Sequence, residues 1–259
     1  MALAHSLFEG SFSVDASKKF IPFDPTIHRA IDRPSSMFIH VHPFLIETND
    51  GLVLCDTGLG QTNPDGELFL HQNIKKLGYE TKDVKYVLMS HLHKDHAGGM
   101  VSFEEGVGRI AFPEAEYIVQ RGEWEDAYSG INKSYRTEIF DVVQRSGNLQ
   151  LVEGDGIVND EIRYNLSGGH TQYHQTFHIE TGSKHYFFGG DVLPEPQEIF
   201  QNYNAKYDFD GRLSKELRKK YWKEGAPQGW IYLFYHSKTV AIGIPERQKD
   251  DRYTIVDLK

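Results

Sequence analysis

His91-Leu92-His93-Lys94-Asp95-His96 places three imidazoles and a carboxylate within six residues. Neutral imidazole nitrogen and carboxylate oxygen are the donors that hold zinc, usually four around one ion. Alternate residues of an extended or tightly turning loop point to the same side, so His91 and His93 can share one cation while Asp95 and His96 turn toward a second. Left without a cation, these groups would crowd beside an apolar strand with unmet polar atoms and mutual repulsion. Other histidines, namely His5, His28, His71, His178 and His185, stand alone in the chain and read as ordinary packing or surface residues.

The elements that must carry this cluster repeat one pattern. Val84 to Met89 is a short apolar run of strand length that ends directly at Ser90-His91. His185 to Phe188 reaches Gly189-Gly190-Asp191, Trp230 to Tyr235 reaches His236, and Glu161 to Leu166 delivers Ser167-Gly168-Gly169-His170. Four strands therefore end in a potential metal ligand, and Asp191, with two oxygens, suits a bridge between two ions. Upstream, Met37 to Thr48 reads as one strand, and Asn49-Asp50-Gly51 turns it into a second, Leu52 to Cys55. Helical spacing predicts helices over Gly66 to Leu77, near Ser134 to Gln144 and over Arg212 to Lys223, placed on the outside of the sheets.

Composition narrows the classes of partner. The chain has 259 residues and a formal net charge of -9, against the clustered basic surface that nucleic acid requires. Cys55 is the single cysteine, so no intrachain disulfide forms, and its place in an apolar run reads as buried packing. No window approaches the roughly 18 apolar residues of a membrane helix. The first ten residues lack a basic segment followed by an apolar one, so no signal peptide is expected and the reading is a cytoplasmic protein. No repeat or long linker divides the chain, and one unit over 1–259 is the simplest organisation. The aromatics Phe103, Trp124, Tyr128, Tyr135 and Tyr203 are candidates for a substrate channel, with Trp124 to Tyr135 as a resting place for an apolar acyl tail.

Ser90-His-Leu-His-Lys-Asp-His-Ala-Gly-Gly99 resembles the signature of the metallo-β-lactamase superfamily. It is preceded by Asp56-Thr57-Gly58 and followed by His170, Asp191 and His236 in the order of that family. The resemblance implies an α/β fold, the αββα sandwich, with two divalent metal ions at one edge. His91, His93 and His170 would hold the first ion and Asp95, His96 and His236 the second, with Asp191 bridging. Asp56 and His174 would stand behind these ligands and orient them. Zinc suits the donors, and manganese, iron or cobalt can occupy a mixed His/Asp site too. Water beside two such cations loses a proton near neutral pH and becomes the nucleophile, with Asp95 assisting proton transfer.

Within the family, the flavodiiron branch carries Glu where this chain has His93, and the true β-lactamases lack a bridging Asp like Asp191. The nucleases add an arm or inserted domain, and glyoxalase II adds a helical extension. The nearest resemblance is to the quorum-quenching N-acyl homoserine lactonases, which implies a small lactone or ester substrate and a homodimer. Two departures stand out. Thr171-Gln172-Tyr173-His174 replaces the usual Thr-Pro-Gly-His, and Pro194 stands where some lactonases carry a Tyr. Tyr173 is therefore either a catalytic phenol or a residue packed over His174. The alternatives are an aryl-ester, phosphotriester or thioester hydrolase of the same superfamily, and a metal-binding member without catalysis.

Overall fold

The computed structural model describes residues 3–129, 132–202 and 204–258. Two sheets stack face to face. The first has six strands in the order Ala4–Ser6, Phe44–Thr48, Gly51–Cys55, Val84–Leu88, Glu116–Gln120 and Leu149–Val152. The second has seven, running Gly156–Asn159, Ile162–Leu166, Gln175–Thr181, Lys184–Phe188, Ile231–Leu233, Ile242–Arg247 and Tyr253–Asp257. Between them lies a core that draws on both, with Phe44, Val53, Leu88 and Ile118 from the first meeting Phe177, Tyr186, Phe188 and Leu233 from the second.

Helices α1 (Phe69–Lys76), α3 (Arg121–Tyr128) and α4 (Thr137–Ser146) cover the outer face of the first sheet, with Leu70, Ile74, Trp124, Ile139 and Phe140 packed inward. Helix α5 (Gly211–Gln228) covers the second sheet, where Tyr221 meets Phe187 and Trp230. The short α2 (Lys94–Ala97) lies inside the metal-ligand motif itself. This is the expected αββα sandwich.

Two expectations are corrected. Met37 to Thr48 is not one strand but two, Met37–Val41 and Phe44–Thr48, and they belong to different sheets. Pro43 lacks the N–H a continuous ladder needs, and the His42 N–H turns aside to the Tyr235 carbonyl at 3.1 Å. Met37–Val41 instead joins Gly10–Val14 and Phe20–Pro22 in a small sheet over one end of the sandwich. The apolar run 230–235 pairs only over Ile231–Leu233. The segment after His236 holds two paired strands, Ile242–Arg247 and Tyr253–Asp257.

Candidate metal centre

Parallel pairing sets the site. Gly51–Cys55 runs beside Val84–Leu88 with Cys55 opposite Leu88, so Asp56 and Ser90 leave the sheet together. The Asp56 carboxylate accepts from the Ser90 N–H at 2.7 Å and from its hydroxyl at 2.6 Å. In the second sheet Phe188 is opposite Leu233, and Asp191 and His236 each lie three residues further on. His170 and His174 come from the turn joining Ile162–Leu166 to Gln175–Thr181. Gln175 links the two sheets here, its N–H donating to the Ser90 carbonyl and its amide to that of Met89.

Close backbone contact holds the loops down. Gly98 and Gly99 press on the Leu59 and Thr57 carbonyls, where an added Cβ would lie 2.1 and 2.2 Å from oxygen. Gly190, at φ +48°, sits so near His174 and Ser90 that a Cβ would come within 2.6 Å of the His174 Nε2.

All seven predicted ligands converge. Ring nitrogens of His91, His93 and His170 form one group within 4.8 Å, and donor atoms of Asp95, His96 and His236 form another. Asp191 lies between them: Oδ1 is 3.2 Å from the Nε2 of both His96 and His236, and Oδ2 is 3.3 Å from the His170 Nε2. Although 3.2 Å is hydrogen-bonding range, the His96 Nε2 and Asp191 Oδ1 have no aligned hydrogen-bond partner despite full burial.

The tautomers explain why. His96 Nδ1 donates to Asp56 at 2.6 Å, His170 Nδ1 to Asp208 at 2.9 Å and His236 Nδ1 to the His40 carbonyl at 2.7 Å. Carboxylates and carbonyls only accept, so each ring must carry its proton on that side. The Ser90 hydroxyl, donating to Asp56, accepts from the His91 Nδ1 at 3.0 Å. Their Nε2 atoms lie together on the other side, those of His91 and His170 3.0 and 3.1 Å from the His93 Nδ1, and with Nε2 deprotonated this donor set fits a divalent cation. A further cluster of Asp56, His91 and His96 is this hydrogen-bonded support and not a separate cation site.

Charge follows the same division. Burial, with the neighbouring imidazoles, holds His91, His93 and His174 well below the usual histidine range. Burial also works against a charged His96, but Asp191, Asp56 and Asp95 outweigh it and raise the ring. For Asp191, burial is overcome by His236, His96 and His170, which draw it well below the usual carboxylate range.

His174 and Asp56 lie behind the cluster. His174 Nδ1 meets the Ser167 hydroxyl at 2.7 Å, and its Nε2 accepts from the Asp191 N–H at 3.2 Å. Tyr173 takes a packing place against α3. Its ring lies against Gly122 of α3, its hydroxyl accepts from the Gln172 amide at 3.1 Å, and it does not line the cavity above the cluster. That cavity, of about 450 Å³, is walled by Val14, Phe20, Met37, Phe38 and Ile39 of the small sheet, with Tyr207 supplying a phenol.

The aromatic channel is corrected likewise. Trp124 is 4% exposed and packs on Phe140, Tyr128 bonds to Asp141 and Gln144, and Phe103 lies on the outer hairpin Val101–Ile110, so none of them lines the cavity. Tyr135 stays close, its ring 5.3 Å from His93, while Tyr203 falls outside the described residues.

Sequence reasoning missed three supports. Asp208 holds His170. Buried Glu123 accepts from the Leu92 N–H, the Thr171 hydroxyl and the Tyr135 hydroxyl, tying together the segments around His91, His93 and His170. Tyr235 stacks on His96 with ring centres 4.1 Å apart and donates to the Asp95 carbonyl at 2.7 Å. No local signal marks the two acids, since each is one of 37.

The sequence pattern of the metallo-beta-lactamase superfamily matches residues 38–236. An N-acyl homoserine lactonase from Bacillus sp. is 31% identical over 209 residues, covering 70% of this chain and 76% of that one. A probable metal-dependent hydrolase from Staphylococcus aureus superposes with a TM-score of 0.77 at 22% identity, covering 100% of this chain and 98% of that one. AidC, a dizinc quorum-quenching lactonase solved with a product N-hexanoyl-L-homoserine, gives a TM-score of 0.71 at 18% identity, covering 100% and 95%. At these identities the two solved structures are similar in fold. Among the described residues no helix is long and apolar enough to cross a membrane.

Proposed function

The chain belongs to the metallo-beta-lactamase superfamily and is one of its metallo-hydrolases, and on that premise we propose that it opens the ester of a lactone, in the manner of an N-acyl homoserine lactonase, at a site holding two divalent metal ions. The observation that carries this reading is the set of four imidazoles whose Nδ1 protons are committed to oxygen acceptors, leaving Nε2 lone pairs beside Asp95 and Asp191. His91, His93 and His170 would hold one ion, Asp95, His96 and His236 the other, and Asp191 both. Zinc is the cation these donors suit best. Divalent cations there supply Lewis acidity, polarising a carbonyl oxygen and lowering the pKa of water toward about 7.

The protein's own groups do the rest. Water adds to the ester carbonyl carbon, the C–O bond to the alcohol breaks, and one proton passes to the departing alkoxide. Asp95 lines the cavity floor and is the carboxylate placed to relay that proton. The apolar wall from Val14 to Ile39 receives the acyl part and keeps water from it. Glu123 and Tyr235 keep the ligand loops from shifting while bonds change. A rival reading, an aryl ester, phosphotriester or thioester as substrate, draws on Pro194, which leaves no phenol at that position, and on Tyr173, which faces α3.

Elemental analysis beside a panel of acyl homoserine lactones, simple lactones, aryl esters, a phosphotriester and a thioester tests both parts. The expected result is about two metal ions per chain and lactone turnover that a chelator abolishes. Turnover confined to another ester class would move the activity to the rival reading, and a chain that binds no metal after zinc or manganese is added would overturn the site.

A further inference from the structure

The lining of the cavity has a chemistry that a neutral acyl lactone does not use. Three lysines belong to it, from three separate segments: Lys18 from the turn between Gly10–Val14 and Phe20–Pro22, Lys94 from the start of α2, and Lys238 from the loop beyond His236. Among the described residues none of the three has a carboxylate within the 4.0 Å of an ion pair. Lys18 stands at φ +58°, in a turn braced by Asp15, whose carboxylate accepts from Ser17.

Of the cavity's carboxylates, Asp95 and Asp191 face the histidines, and Glu198 is paired with Arg218 at 3.2 Å. Glu195, which accepts from the Gln197 amide, remains as one negative group against the three lysines. In a chain of net charge -9, three segments thus bring positive charge to the cavity above the candidate metal centre. The apolar wall of the small sheet lines the same cavity.

Resting on the hydrolase reading above, we propose that the substrate is an ester or lactone that carries a carboxylate on its far side. An apolar spacer lies on Phe20, Phe38 and Ile39, and the carboxylate is held by Lys18, Lys94 and Lys238. Lysine is a mobile point charge rather than a fork, so recognition is by charge and not by a fixed geometry. Its strength falls as salt rises.

The test compares two esters on the metal-loaded full chain, 4-nitrophenyl butyrate and the mono-4-nitrophenyl ester of glutaric acid, which differ by one distal carboxylate. The expected kcat/KM favours the glutarate ester by about tenfold at low salt, through KM, and high salt removes the preference. Lys18→Ala with Lys238→Ala should raise KM for the glutarate ester several-fold more than for the butyrate, and Lys→Arg at both positions should restore it. Equal KM for the two esters, or equal losses in the variant, would overturn the proposal. Calorimetry with glutarate and glutaramide separates this from failure of the hydrolase reading. If neither ester is turned over, the assigned reaction is wrong, yet glutarate binding that the double alanine variant loses still supports the anion site. Identical binding of the two ligands, or binding indifferent to the substitution, overturns it.

Discussion

Four imidazoles of the centre, those of His91, His96, His170 and His236, are held by an oxygen behind the ring. The side chain of Asp208 is buried and fixes His170 through one 2.9 Å bond, so Asp208→Ala frees that ring to rotate and to change tautomer. Loss of such a support weakens metal affinity by about 10- to 100-fold, and chelator competition on the variant measures it. Unchanged affinity would mean that His170 is positioned by its surroundings alone. Asp208 escaped the sequence because it lies 38 residues from its partner with nothing around it to mark it. Tyr173 shows the opposite case: a bulky phenol beside a ligand drew both a catalytic and a packing reading, and its ring fills the space over Gly122.

At the scale of elements, parallel register does the assembly, but one loop needs a carboxylate to hold it. Glu9, ahead of Gly10–Val14, accepts from the Leu59 and Gln61 N–H groups at 2.5 and 2.6 Å and pins the segment after Asp56-Thr57-Gly58. Burial pushes its carboxyl from 4.5 up to about 7, against the lowering effect of those donors. The folded chain therefore binds this proton more tightly than the unfolded chain. Its contribution to stability is complete below pH 4.5 and is lost as pH rises to about 7. Over that interval the difference amounts to about 3 kcal/mol. Denaturant titrations across pH should show this decline in the native chain and its absence in Glu9→Gln. The same slope in both would assign it to other groups. The split of 37–48 into two strands belongs to this scale as well, since composition marks extended backbone but not which sheet receives it.

For the whole molecule, the centre lies where the two sheets meet, with His91, His93, Asp95 and His96 following the first sheet and His170, Asp191 and His236 following the second. A cation held by both should therefore stabilise the sandwich as a unit. At a free metal concentration of 100 times Kd the gain is about 2.7 kcal/mol, or about 5–10 °C in Tm for a chain of this size. Calorimetry with and without chelator checks this, and an unchanged Tm would show that no metal links the sheets. What the sequence alone marked is the cluster from His91 to His96 and the apolar runs that lead to it and toward His170, Asp191 and His236, while the sandwich followed from the resemblance those motifs carry. What only the tertiary structure decided is the supporting shell of Asp208, Glu123, Glu9 and Tyr235, the burial of Trp124, and the choice of the small N-terminal sheet and three lysines as the walls of the cavity. Those depend on which distant segments fold against one another. Local propensity, which ends at the strand, carries no record of that.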